Sequence, residues 1–150
     1  MKFIAVVAAL VATAFAQGIS LGAPAANSTV YPGQWVTVEV DKPDTLTGST
    51  EVALVLTMTP CPSAGCDAPG FDATQRLGSV LYNGPYNPQF HPEAGVGKPP
   101  HQNFSVPIPT SYTAGQDVVL VATHLNLVGA GPYANLEYRQ LPLKVVAQPY

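Results

Sequence analysis

The sequence predicts an all-β fold: an immunoglobulin-like antiparallel β-sandwich of about seven strands, in one domain. Three observations predict it. Apolar residues recur at every second position in several short runs. Turn residues separate most of those runs at spacings usual for a sandwich. No stretch after the first sixteen residues carries a helical period.

The strands can be justified in order. Ile19 to Ala23 is a short first strand. Pro32-Gly33 is a turn signal before Trp35-Val36-Thr37-Val38-Glu39-Val40, where the valines face one way and Trp35, Thr37 and Glu39 the other. Glu51 to Thr59 is β-branched and apolar on both faces, the pattern of a central strand covered on both sides. Pro60 and Pro62 end it. Arg76 to Tyr82 is a short strand closed by Asn83-Gly84. Phe104, Val106 and Ile108 form one inward face, which turns Asn103, Ser105 and Pro107 outward. Pro107 has no N–H to give a neighbouring strand, so this strand belongs at a sheet edge. Val118 to Leu127 is again apolar on both faces, and Leu136 to Val146 alternates through Leu141, Leu143 and Val145. The expected core contains Val36, Val38, Leu54, Leu56, Val106, Val119, Val121, Leu143 and Val145.

Residues 1–16 read as a secretory signal peptide. Lys2 supplies a positive charge, Ile4 to Leu10 a short apolar run, and Ala14-Phe15-Ala16 a small-residue cleavage site. Cleavage after Ala16 leaves residues 17–150 as a single β-sandwich domain beginning at Gln17, which can cyclise. The apolar run is too short to span a bilayer, so no membrane insertion is expected. Without Lys2 there are five basic residues against nine acidic ones, a formal charge of −4. That balance does not attract nucleic acid or an anionic membrane. The expected setting is secreted and extracellular, and the expected state is a monomer.

That setting favours a bond between Cys61 and Cys66, the two cysteines of the chain. Four residues separate them, where a redox-active pair has two. The sequons Asn27-Ser28-Thr29 and Asn103-Phe104-Ser105 mark two glycosylation sites, each requiring an exposed asparagine.

The search for chemistry finds no Gly-x-Ser-x-Gly elbow and no His-Glu-x-x-His. Asp41 and Asp44 read as turn residues. His91, His101 and His124 could converge on zinc or copper, but as separate histidines they are surface or hydrogen-bonded residues. Copper polysaccharide monooxygenases are also secreted sandwiches, yet they ligate copper through an N-terminal histidine, and here Gln17 stands in that place. No metal, cofactor or catalytic residue is therefore expected, and the protein is not expected to be an enzyme. Trp35, Tyr82, Tyr86, Phe90, Tyr112, Tyr133 and Tyr138 could instead form a carbohydrate platform, the alternative function. The segment from Gly84 to Gln102 is a 19-residue loop stiffened by five prolines. Loops of that length are commonly functional. Tyr86, Phe90 and His91 on it, with Tyr133 on the neighbouring turn, are the candidate partner-binding residues.

The second half carries a recognisable pattern: Leu77-Gly78-Ser79-Val80-Leu81-Tyr82-Asn83-Gly84-Pro85, then Gln102 to Pro109, then Leu120 to Ala130, then Asn135-Leu136-Glu137-Tyr138. It resembles the fungal necrosis-inducing secreted protein family, a set of small secreted effectors. The resemblance covers roughly residues 18–147. It implies an effector that binds plant immune receptor-associated kinases, inhibits them and suppresses pattern-triggered immunity. No catalytic residue comes with it. The Cys61–Cys66 pair and the length of the Gly84–Gln102 loop depart from the commoner members.

Overall fold

Alternation decides which side chains meet. A computed structural model describes residues 18–149, so the signal peptide and Gln17 lie outside the described residues. The strands are β1 (Ser20–Ala23), β2 (Thr29–Val30), β3 (Trp35–Asp41), β4 (Ser49–Pro60), β5 (Ser79–Gly84), β6 (His101–Pro107), β7 (Asp117–Val128) and β8 (Tyr133–Val145). They form two sheets, of order β1-β3-β6 and β2-β8-β7-β4-β5. The two faces meet in an immunoglobulin-like sandwich. All pairings are antiparallel except β2 with β8.

The core lies between the sheets. Val38, Val40, Phe104, Val106 and Ile108 from the small sheet oppose Leu54, Leu56, Met58, Leu120, Leu141 and Leu143. Val36 packs against this cluster but stays partly exposed. Pro107 does lie on an edge strand, because β6 pairs only with β3.

Four expectations need correction. Val119 and Val121 are buried, but on the outer face of the large sheet, where they pack with Ala73, Phe71, Leu77 and the two cysteines. The loop from Cys61 to Leu77 thus roofs part of that face, and the Cys61–Cys66 bond fixes the roof. This explains why β7 is apolar on both sides. Second, β5 starts at Ser79, because Gly78 needs a left-handed backbone (φ 67°) and a β-carbon there would strike the Met58 carbonyl. Third, Gly84 continues β5 opposite Leu54 rather than turning the chain. Fourth, Asp41 is no turn residue: it ends β3 opposite His101 and is buried. The two-residue strand β2 had no sequence signal. It exists because Lys144 N–H donates to the Ser28 carbonyl (3.0 Å) and Val146 N–H to the Val30 carbonyl (2.8 Å). Among the described residues no helix is long and apolar enough to cross a membrane.

Candidate functional site

Topology brings three connections to one end of the sandwich. These are residues 42–48 between β3 and β4, residues 129–132 between β7 and β8, and residues 85–100 between β5 and β6. Ser49 pairs with Val128, and Gly129 N–H donates to the Gly48 carbonyl at 3.0 Å. Lys42 N–H donates to the Pro100 carbonyl at 2.8 Å. The long loop and the Tyr133 turn, whose relative position could not be read from sequence, therefore share an end.

The long loop is held at both flanks. Gln89 and His101 exchange backbone hydrogen bonds (3.0 and 2.9 Å), and Asn87 N–H donates to Gln102 Oε1 at 2.7 Å. Pro92–Ala94 makes one 3₁₀ turn. Beyond it, Lys98 bonds Glu39 and lies 3.5 Å from Asp41. Burial lifts the Asp41 carboxyl above its usual range, the Lys98 ammonium pulls it down, and Glu39 adds to the rise.

The candidate residues then separate. Tyr86 is 3% exposed. Its ring packs edge-on against His124 at 5.2 Å, and its hydroxyl donates to the Val40 carbonyl at 3.0 Å. Tyr86 is the plug that seats the loop on the core, so its expected place as an exposed anchor is withdrawn. Phe90 is 64% exposed and Tyr133 59%. His91 is half-buried, its ring tilted 45° to that of His101 at 4.7 Å, and it lies 3.1 Å from Glu93. The His101 Nδ1 sits 3.0 Å from the Pro99 carbonyl, which can only accept, so that nitrogen carries a proton. His91 and His101 thus meet, but on the outer side of the small sheet. His124 faces the interior from β7 and does not join them. Among the described residues no group of His, Cys, Asp and Glu is arranged to hold a metal ion.

Two exposed side chains escaped the sequence reading: Leu46 on the first connection and Val96 on the long loop, both fully open to solvent. The available signal was an apolar residue where no period requires one, in Thr45-Leu46-Thr47 and between Gly95 and Gly97. Leu46, Phe90 and Val96 are thus exposed on connections rooted at this end, and Tyr133 is exposed at the first residue of β8. An open cleft of about 580 Å³ lies between residues 46–50 and Leu127, Gly129 and Ala130. A second, of about 330 Å³, lies between residues 42–45 and Asn87, Pro88 and Pro100.

Beneath these loops is a charged network that the sequence reading also missed. His124 is fully buried between two carboxylates. Its Nδ1 is 2.8 Å from Glu137 Oε1, and its Nε2 is 2.5 Å from Glu51 Oε2. The second approach is close but poorly aligned as a hydrogen bond. Burial opposes a charge on the ring, yet the two carboxylates outweigh it and raise the His124 pKa. On Glu51, burial acts upward and is overcome by His124, Ser49 and Lys42, so its pKa falls. Nδ1 is within hydrogen-bond distance of Glu137, Nε2 meets Glu51 as a close ionic contact, and the two carboxylates favour the charged form of the ring. Glu137 also accepts from Ile19 N–H (3.1 Å), and Arg139 Nε donates to the Ile19 carbonyl (2.6 Å). The network therefore ties the chain entering β1 to the large sheet under the loop end.

Asn27 and Asn103 are both exposed, with Asn103 outward on β6 as its strand phase requires. Asn103 is on the outer face of the small sheet opposite Glu39, the residue that Lys98 of the long loop bonds, whereas Asn27 lies at the other end beside Pro142.

These features define a small, disulfide-stapled immunoglobulin-like sandwich with exposed apolar side chains on two of the connections at one end and on several of its strands. The chain belongs to the Nis1 family, whose sequence profile matches residues 12–142. That match fits the fungal necrosis-inducing effector resemblance read from the second half of the sequence. The family and the disulfide together indicate a secreted, effector-like protein. No curated protein matches the chain.

Proposed function

We propose that this protein is a secreted fungal effector that acts by binding and not by catalysis. Its partners are plant immune receptor-associated kinases, as the family resemblance implies, and the outcome is suppression of pattern-triggered immunity. One observation carries the choice of surface. Leu46, Phe90 and Val96 stand exposed on connections whose roots share one end of the fold, and Tyr133 stands exposed where β8 begins at that end. Exposed apolar groups collected in one place mark interaction surfaces, and aromatic side chains dominate many interface hot spots. By analogy of fold, two of these connections correspond to loops that immunoglobulin variable domains use for recognition. The Gln89–His101 bridge and the prolines lower the ordering cost of the long loop on binding.

The carbohydrate-binding alternative needs aromatics in line on one face. Trp35 lies on the outer face of the small sheet, Tyr138 on that of the large sheet, and Phe90 and Tyr133 at the loop end. That scatter favours a protein partner. The test presents the secreted chain in parallel to purified kinase domains of plant immune receptor complexes and to insoluble cell-wall polysaccharides. Retention by a kinase domain supports the proposal. Retention by polysaccharide alone defeats it.

A further inference from the structure

A third cleft, of about 380 Å³, lies beside Pro142, at the other end of the sandwich from the long loop. Asn27 of the first sequon lines it, with Gly65, Cys66 and Asp67 of the disulfide loop and Asp117 and Lys144 of β7 and β8. Backbone hydrogen bonds fix its walls. Asn27 N–H donates to the Pro142 carbonyl (2.7 Å), Lys144 N–H to the Ser28 carbonyl (3.0 Å) and Cys61 N–H to the Asp117 carbonyl (2.9 Å). The disulfide loop leaves room, since a β-carbon on Gly65 would meet nothing within 4 Å. The chain enters the described structure elsewhere, with Gly18 against Glu137 and Arg139.

The charged groups around this cleft are uncommitted. Asp117 and Lys144 stand opposite each other in β7 and β8. Among the described residues neither side chain joins an ion pair or a hydrogen bond, and nor does that of Asp67. All three are exposed. A carboxylate accepts hydrogen bonds and an ammonium donates them. Together they suit a neutral ligand that carries both hydroxyl donors and carbonyl or hydroxyl acceptors. Pro142 and Cys66 add apolar surface.

We infer that this cleft seats the glycan of Asn27. The first N-acetylglucosamine of an N-linked chain lies between the disulfide loop, the start of β7 and the end of β8. The tether identifies the occupant. Asn27 is both the sequon asparagine and part of the wall, so a sugar on its Nδ2 is held beside the cleft at high effective concentration. The hydroxyls and acetamide of that sugar are the donors and acceptors that Asp67, Asp117 and Lys144 match. The sugar thus joins the β1–β2 connection to the loop that roofs Val119 and Val121, and it acts there beside the disulfide. Asn103 is the contrast: it points outward on β6 and lines none of the three clefts, so its glycan extends into solvent. The inference is separate from the kinase proposal, since it concerns neither the loop end nor a partner.

The test uses chain secreted by a eukaryotic host and hydrogen exchange read by mass spectrometry. Three forms are compared: the fully glycosylated chain, the chain trimmed enzymatically to one N-acetylglucosamine per site, and Thr29→Ala. That substitution abolishes the first sequon and leaves the left-handed Asn27 backbone (φ 61°) in place. Exchange in residues 61–70 should be equal in the first two forms and at least about fivefold faster in Thr29→Ala. Ser105→Ala, which abolishes the second sequon, should leave that segment unchanged. Asp117→Ala should speed exchange there when the glycan is present and have no further effect in the Thr29→Ala background. No glycan at Asn27, equal exchange with and without it, or the same effect from Ser105→Ala would each overturn the inference. So would an Asp117→Ala effect of equal size in both backgrounds, which would give Asp117 a structural role without the sugar.

Discussion

Replacing His124 with leucine is the sharpest perturbation this fold offers. The ring is fully buried and touches both Glu51 (2.5 Å) and Glu137 (2.8 Å). Leucine fills much of the same space and removes the positive charge between them. Glu137 keeps Arg139 at 3.1 Å and the Ile19 N–H, whereas Glu51 keeps only Ser49 at 2.7 Å and Lys42 at 3.7 Å. Removing one partner from a buried ionic group costs about 3–5 kcal/mol, and the asymmetry places most of that cost on Glu51. The pH dependence follows from the two shifts. The His124 pKa is raised above 6.5, so its contribution is complete below 6.5 and is lost as pH rises through the folded value. The Glu51 pKa is lowered below 4.5, so its contribution is complete above 4.5 and is lost as pH falls through the folded value. The network is thus strongest between those two limits. Urea unfolding at about pH 6 should show His124→Leu less stable by the stated amount. The gap should narrow on either side of the window, and adding Glu51→Gln should recover part of the loss. A cost below about 1 kcal/mol at that pH, or a gap independent of pH, would refute the reasoning.

Other consequences are more local. Gly78→Ala should destabilise the protein in thermal or urea unfolding by at least about 1–3 kcal/mol, since it adds a β-carbon at a left-handed residue against the Met58 carbonyl. Replacing both cysteines with alanine should cost only about 2 kcal/mol globally, because the closed loop is short. Limited proteolysis of that variant should nevertheless cut first within residues 61–77, the roof over Val119 and Val121. Made in a eukaryotic secretory host, the chain should carry glycans at Asn27 and Asn103. Intact mass should fall by one glycan in each of Asn27→Gln and Asn103→Gln, and an unchanged mass would show that the site is unused.

Period-2 alternation made most of the sandwich legible in advance, because the buried face of a strand must be apolar whatever the tertiary detail. Asn103 and Pro107 could be phased from Phe104, Val106 and Ile108 alone. Other features depended on contacts between distant segments. Nothing local marks Thr29–Val30 as a strand, since its two pairings come from β8. Val119 and Val121 look like sandwich core, because the sequence does not reveal that the disulfide loop covers the other face. Tyr86 has the same local character as Phe90, a loop aromatic among prolines. Only the fold shows that one enters the core and the other points to solvent. His124, Glu51 and Glu137 were visible as polar residues at inward strand positions, but their meeting depends on the pairing of three strands.

The loop-end surface is the centre of the account, and a binding measurement tests it most directly. Immobilised kinase domain is titrated with the secreted chain and with a Phe90→Ala, Tyr133→Ala variant, whose fold is checked by unchanged urea unfolding. Both side chains are exposed, so their removal leaves the core intact. The account predicts binding by the unaltered chain and a loss in the variant of at least about 2 kcal/mol, roughly thirtyfold in affinity. Equal affinity of the two folded proteins would contradict it.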